Sequence, residues 1–353
     1  MIAASWPRAD ATSERLLVVP IDGQPSVDAT VGRLAEQLRA GDLLVVNDAA
    51  TLPASLPGHT ANGAEIELRL AAPTDDPARF AAVIFGAGDW TTKTEHRPPP
   101  PRVDVGAVLR LGSDLFATVE AVSTLSPRLL SVRLGARSGR LWPALYAEGR
   151  PIQYAHIERP LSLFHVQTSY AGRPWAVEQP SAGRPLRWHT LRALDARGVT
   201  VARLTHAAGL SSTGDEAIDA SLPLPERYEL PQETVDAVER TRHERGRVVA
   251  VGTSVVRALE GNHATFGRLV AGVATTALHV DHRHALRVVD GVLSGVHERG
   301  TSHFSLLSAF VEPARLDEAN ALAERLGYLG HELGDSCLVW KQPSALSATQ
   351  TAA

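Results

Sequence analysis

Lysine is nearly absent from this chain: only Lys93 and Lys341 stand among 35 basic residues, the other 33 being arginine. Arginine clusters therefore carry less functional weight than usual. Cysteine occurs once, as Cys337, which excludes an intrachain disulfide and any cysteine-based zinc or iron–sulfur centre. A reducing cytoplasm is the expected compartment. No apolar run approaches the roughly 20 residues that span a bilayer, and the opening Met1-Ile2-Ala3-Ala4-Ser5-Trp6 meets Pro7 before a signal core develops. Neither a signal peptide nor a membrane anchor is expected. A charge excess is lacking too: the net charge of −4 excludes a polyanion-binding coat, so any nucleic acid must meet a local patch.

What is present describes a globular chain. At 353 residues, 44% hydrophobic and 21% charged, about two domains are expected, with no internal repeat at solenoid periods. Leu16 to Pro20 reads as a strand, and the apolar spacing of Val31, Leu34, Ala35 and Leu38 predicts a helix to Ala40, closed by Gly41. The continuous run from Asp42 to Asp48 suits a strand buried on both faces. Between Pro57 and Arg150 the runs are short and alternating (Glu65 to Leu70, Phe80 to Phe85, Val108 to Leu111, Leu115 to Val122, Leu129 to Leu134), punctuated by Gly and Pro, with no helical pattern. After Pro151, helix and strand alternate again, through Trp188 to Ala196, Val199 to Leu204, Pro231 to Glu244, Arg247 to Val251, Thr253 to Glu260, Leu316 to Leu326 and Ser336 to Trp340. The expected fold is therefore α/β: a mostly parallel, helix-covered sheet domain (1–56 and 151–342) interrupted by an inserted small antiparallel β-barrel domain (57–150). A disordered tail is expected at 343–353.

The strongest chemical signal is Arg247-Val248-Val249-Ala250-Val251-Gly252-Thr253-Ser254 running on to Arg257 and Glu260. A buried strand passing through Gly-Thr-Ser into a helix brings backbone N–H groups, two hydroxyls and the helix dipole to the carboxyl edge of the sheet, where α/β sheets bind anions. Arg257, one turn on, suits a carboxylate or phosphate clamp; simple N-capping by Thr253 or Ser254 is the equal alternative. His206 at a strand's carboxyl end, and His297 after another apolar run, are candidates for proton transfer, each also readable as a structural histidine. His279-Val280-Asp281-His282-Arg283-His284 reads as a hydrophilic turn rather than a metal site, and Gly86-Ala87-Gly88-Asp89 lacks the following helix of a dinucleotide fingerprint. Arg128, Arg133, Arg137 and Arg140, with Trp142 and Tyr146, read as solvated surface before they read as an RNA-stacking face.

Taken in order, several segments resemble the S-adenosylmethionine:tRNA ribosyltransferase-isomerase family. They are Gly41 to Asp48 with Leu52-Pro53-Ala54 and Gly58, Gln167-Thr168-Ser169-Tyr170-Ala171 leading to Pro180-Ser181-Ala182-Gly183, Gly252 to Glu260, and Asp290-Gly291 with His297 and Leu307-Ser308-Ala309-Phe310. The resemblance implies an α/β domain interrupted by a β-barrel. It also implies transfer of the ribosyl moiety of S-adenosylmethionine, as cosubstrate, to a 7-aminomethyl-7-deazaguanine in the tRNA anticodon loop, with isomerisation and release of adenine and methionine, and with no metal. His206 and His297 are then the expected catalytic groups, and Asn47, Asp48, Pro180, Ala182, Gly183, Gly252, Thr253, Ser254 and Arg257 the expected substrate-binding ones.

The chain also departs from the family pattern. Arg184-Pro185-Leu186 replaces a Leu-His-Phe after Gly183, Ala207 to Ser212 replaces a glycine-rich segment, Leu222 to Glu226 replaces a Met-His-x-Glu stretch, Glu298 to Ser302 follows His297, and Ala50 replaces an arginine. These positions are of the types that approach phosphates and move protons. They motivate two alternatives: a divergent paralogue acting on a small-molecule acceptor with S-adenosylmethionine or a related nucleoside, and a non-catalytic binding protein.

Overall fold

A run such as Leu43–Asn47 has no polar face to offer water and needs cover on both sides. In the computed structural model, which describes residues 1–342, every residue of this strand is buried near the middle of a nine-stranded sheet. The tail expected at 343–353 lies outside the described residues. Across the sheet the strands run Gly272–Thr276, Glu226–Leu230, Thr200–His206, Leu43–Asn47, Val248–Val251, Gly291–Gly295, Ser336–Trp340, Arg15–Val19 and Val27–Thr30. The third to sixth are mutually parallel. Antiparallel neighbours lie on both sides of this parallel centre.

Alternation along the central strand builds two cores. Leu43 and Val45 pack with Val235, Val255 and Leu259 from the helices Gln232–His243 and Thr253–Phe266, while Leu44 and Val46 meet Leu34, Leu38 and Leu194 on the opposite face. Cys337 is buried in the strand Ser336–Trp340, where burial pushes its thiol up to about 12. Among the described residues, no helix is long and apolar enough to cross a membrane.

Six antiparallel strands, Ser55–His59, Glu65–Pro73, Arg79–Phe85, Val108–Arg110, Leu115–Val122 and Leu129–Ala136, close into a barrel. Register shifts at Leu70/Ala72 and Ser131/Val132 add the local bend that closure needs. The chain enters and leaves side by side: Ser55 and Arg150 exchange two backbone hydrogen bonds of 2.9 Å.

Two local expectations change. The helix predicted to Ala40 is a 3-10 turn, Val31–Arg33, followed by one α-turn, Leu34–Gln37. The Asp42 carboxylate takes the Arg39 N–H at 3.0 Å, and a side chain competing for backbone donors in this way ends a helix. Between Pro57 and Arg150 there is a helix after all, Leu141–Glu148, whose Ala144 and Leu145 pack into the barrel cluster. Pro143 reads as a break in sequence, yet it sits in the first turn, where no N–H is missed.

Glu260 shows what ties the helical layer to the sheet. Buried on the helix Thr253–Phe266, its carboxylate accepts the N–H groups of Arg287 (2.9 Å), Val288 (2.9 Å) and Val289 (3.0 Å), just before the strand Gly291–Gly295. Glu260→Ala strands these donors, and urea unfolding is expected to show a loss of about 3 kcal/mol or more, with Glu260→Gln less damaging.

Candidate active site

In a sheet of this kind the carboxyl ends of the parallel strands are where ligands meet loops. Here that edge carries Asn47 and Asp48, His206, Gly252 to Ser254, and Ser294 with His297, one group from each of the four parallel strands. Asn47 is buried and fully engaged. Its Nδ2 donates to the His206 carbonyl at 3.0 Å and to Ser254 Oγ at 3.4 Å, and its Oδ1 accepts from the N–H groups of His206 (2.9 Å) and Ala49 (3.0 Å). Asp48 accepts the Thr205 hydroxyl at 2.6 Å. Both expected substrate-binding residues thus act first as fasteners of the edge.

Gly252 ends the strand Val248–Val251 with φ of +89° and ψ of 154°, a conformation open in practice to glycine alone. Its missing side chain leaves the start of the four-turn helix Thr253–Phe266 without a side-chain cap, so the capping alternative for Thr253 and Ser254 does not hold. Over this point lies the turn Ser181–Gly183, following Pro180: a Cβ built on Gly252 falls 3.7 Å from that of Ala182. Gly183 is needed because Tyr170 packs onto it; a Cβ there meets the tyrosine oxygen at 2.1 Å. The structure thus brings the Ser181–Gly183 turn, through Ala182, to Gly252 at the start of the helix.

The two expected catalytic histidines occupy different environments. His206 is sealed, with no exposed surface, and its Nε2 lies 3.3 Å from Glu226 Oε2 in poor alignment, leaving both ring nitrogens without a hydrogen bond. Burial, with the Arg257 charge beside it, pushes its pKa down to about 3. It is neutral at physiological pH and does not reach solvent. Arg257 is likewise committed rather than free to clamp an anion: it pairs with Glu226, and its Nε donates to the Leu278 carbonyl at 3.1 Å. Glu226 also accepts the Gly209 N–H at 2.7 Å, completing a buried cluster. His297, half-buried, stands apart from these. Its Nε2 is 3.0 Å from Ser294 Oγ, its ring stacks on His303 at 4.5 Å, and burial, then His303 and His331, hold its imidazole well below the usual range.

Sequence reasoning missed Glu226, His303 and, above all, Glu178. Glu178 lies three residues before the turn Ser181–Gly183 and borders a small cavity lined by Tyr154, Gln179 and Glu332. Tyr154 Oη and the Ser211 N–H (3.1 Å) both donate to one of its oxygens. Burial raises its pKa from 4.5 to about 7. The only signal in sequence was an isolated carboxylate beside Gln179-Pro180. The acid-to-neutral window makes this testable. The folded state holds the Glu178 proton more tightly, so stability falls as pH rises from 4.5 towards 7. Glu178→Gln is expected to gain on the parent chain across that window, reaching a Tm advantage of about 3 °C or more above pH 7; thermal melts at pH 4.5 and 8 check it.

Comparison with known proteins identifies the family. Residues 1–339 match the family described as queuosine biosynthesis protein. The S-adenosylmethionine:tRNA ribosyltransferase-isomerase of Magnetococcus marinus is 31% identical over 345 residues, covering 96% of this chain and 91% of that one. The protein of the same name from Thermus thermophilus is 31% identical over 330 residues, covering 92% of each. A crystal structure of the S-adenosylmethionine tRNA ribosyltransferase from Thermotoga maritima superposes with a TM-score of 0.52 over 96% of both chains at 21% identity, a likeness of fold. An α/β sheet interrupted by a closed barrel, and a match along nearly the whole chain with relatives 31% identical, place this protein in the queuosine biosynthesis protein family.

Proposed function

We propose that this chain transfers the ribosyl moiety of S-adenosylmethionine to tRNA and isomerises it there, the activity for which its relatives are named. The acceptor assigned is a 7-aminomethyl-7-deazaguanine of the anticodon loop, and the setting a reducing cytoplasm. The observation that carries this reading is the uncapped start of the helix Thr253–Phe266 at the centre of the sheet edge, under the Ser181–Gly183 turn. Free N–H groups and the positive end of a dipole suit the methionine carboxylate. Arg257 Nη2 and Gln179 Oε1 are buried without a protein partner, and in native proteins such atoms are met by ligand or water.

The sulfonium acidifies the neighbouring C5′ proton, so the reaction starts with a base. Glu178, poised near neutrality, and His297, kept in its neutral form, are the two groups assigned to proton transfer. His206 is given a positioning role, because its ring is closed off behind Glu226 and Arg257. The substrate roles of Asn47, Asp48 and Arg257 are indirect in the same sense. We read the division into a sheet domain (1–56, 151–342) and an inserted barrel domain (57–150) as assigning cosubstrate to the first and RNA to the second.

On the barrel, Arg128 is engaged by the carbonyls of Ile84 and Thr213, and Arg133 by Asp76 and Glu120. Arg137 is different: with Arg110, Phe116, Val108 and Ala61 it lines an open groove, a guanidinium and aromatic set suited to single-stranded RNA. Nothing observed favours a small-molecule acceptor or loss of catalysis over this reading.

The test is incubation with S-adenosylmethionine and an anticodon stem-loop carrying the aminomethyl-deazaguanine, followed by mass spectrometry. Adenine and methionine release with a matching gain on the RNA is expected, whereas silence under conditions where the Thermus relative turns over rejects the proposal. In the same assay, Arg110→Ala/Arg137→Ala should raise KM for RNA about tenfold, through two lost phosphate contacts, and leave KM for S-adenosylmethionine unchanged.

A further inference from the structure

His156, far away in sequence, meets the adjacent pair His331 and Glu332, the last of which lines the small cavity beside Glu178. One ligand atom from each lies within 4.8 Å of the other two. His156 Nε2 is 3.0 Å from Glu332 Oε2, and the rings of His156 and His331 are 4.6 Å apart at 37°. His156 and Glu332 are half-buried and His331 is exposed. We propose that these three side chains form a binding site for a single divalent ion of the zinc class, linking the segment 152–157 to the turn 329–335.

The chemistry of the donors selects the ion. Two imidazoles and one carboxylate form a three-ligand set used for zinc, which leaves a fourth position for water or a substrate atom. Hard cations such as magnesium and calcium need more oxygen ligands than this. The ion takes the place of the hydrogen bond between His156 and Glu332, so no buried charge is left unpaired.

The scaffold around the donors is already ordered for it. His331 has φ of +66°, a conformation that non-glycine residues adopt at a cost. The turn that imposes it is pinned by Asp335, a buried carboxylate accepting the N–H groups of Leu329 (2.8 Å) and Arg15 (2.9 Å), with Arg8 Nη2 donating to both of its oxygens (2.7 and 2.9 Å). On the other side, Ile157 follows His156 and packs in one apolar cluster with Leu333, the residue after Glu332. The neighbours of the ligands are thus packed against each other, and the ligands are carried on one rigid wall. A simple ion pair between His156 and Glu332 needs neither His331 nor its backbone conformation. The histidine-rich turn near 280 makes no such convergence among the described residues: Asp281 there pairs with Arg283 at 2.5 Å.

The inference is independent of the ribosyl transfer reading, since it is measured as binding. Full-length protein is stripped with EDTA, dialysed against micromolar Zn2+, and its zinc counted by mass spectrometry, with Co2+ absorption reporting the ligand geometry. One ion per chain is expected. His331→Asn, which removes the imidazole and tolerates the left-handed backbone, and Glu332→Gln should each weaken binding about tenfold or more, while the metal-free variants melt as the parent does. His282→Ala/His284→Ala should bind as the parent. The proposal is overturned if the stripped chain takes up no stoichiometric ion, if His331→Asn and Glu332→Gln keep it, or if the His282/His284 variant loses it.

Discussion

One buried amide sets the geometry of the cleft. Parallel pairing between Leu43–Asn47 and Thr200–His206 ends with Asn47 opposite Leu204, and beyond that point the main chain turns away towards the barrel. The Asn47 side chain continues the ladder in its place, giving an acceptor to the His206 N–H and a donor to the His206 carbonyl as a neighbouring strand would. Its second donor hydrogen reaches Ser254, so the same group also holds the first turn of the helix that opens into the cleft. The edge is organised around these two strands and one helix, held together by a single side chain.

Behind that edge lies a polar layer closed to water, in which Glu226 gathers Arg257, the Gly209 N–H and the flank of His206. Replacing a buried ion pair by apolar residues is often neutral or stabilising, so this layer is better understood as fixing position than as adding stability. In front of it stand groups of intermediate exposure, Glu178, Gln179, Ser254 and His297, the last beside the buried Ser294. Burial moves the proton affinities of the two layers in useful directions, keeping His206 and His297 uncharged and bringing Glu178 towards neutrality.

Much of this was legible in the chain itself. Continuous runs such as Val248–Val251 and alternating ones such as Leu115–Val122 mark strands buried on two faces and on one, and their order along the chain separates the sheet from the barrel. The strand Glu226–Leu230 was hidden, because its start follows Leu222-Pro223-Leu224-Pro225 and it reads as a continuation of a proline-rich loop. The site was legible as an edge, through Gly252 to Ser254 and Pro180 to Gly183, but the roles of single residues were not. Whether Arg257 faces a ligand or Glu226, and whether a histidine is sealed like His206 or half-open like His297, is decided by partners dozens of residues away. No local pattern encodes that. Glu178 and the pair His331-Glu332 escaped for the same reason, since each acquires meaning only from Tyr154 or His156 across the cleft.

The side-by-side crossing at Ser55 and Arg150 has a consequence for how the chain folds. Leu43 and Thr200 are neighbours in the sheet although more than 150 residues separate them, a long loop to close before any pairing is rewarded. Once the barrel has formed, its entry and exit points touch, and the span still to be closed shrinks to roughly a third of its length, lowering the entropic cost by about 1 kcal/mol. The inserted unit, whenever it forms first, therefore works as a splint that holds the two halves of the central sheet within reach of each other.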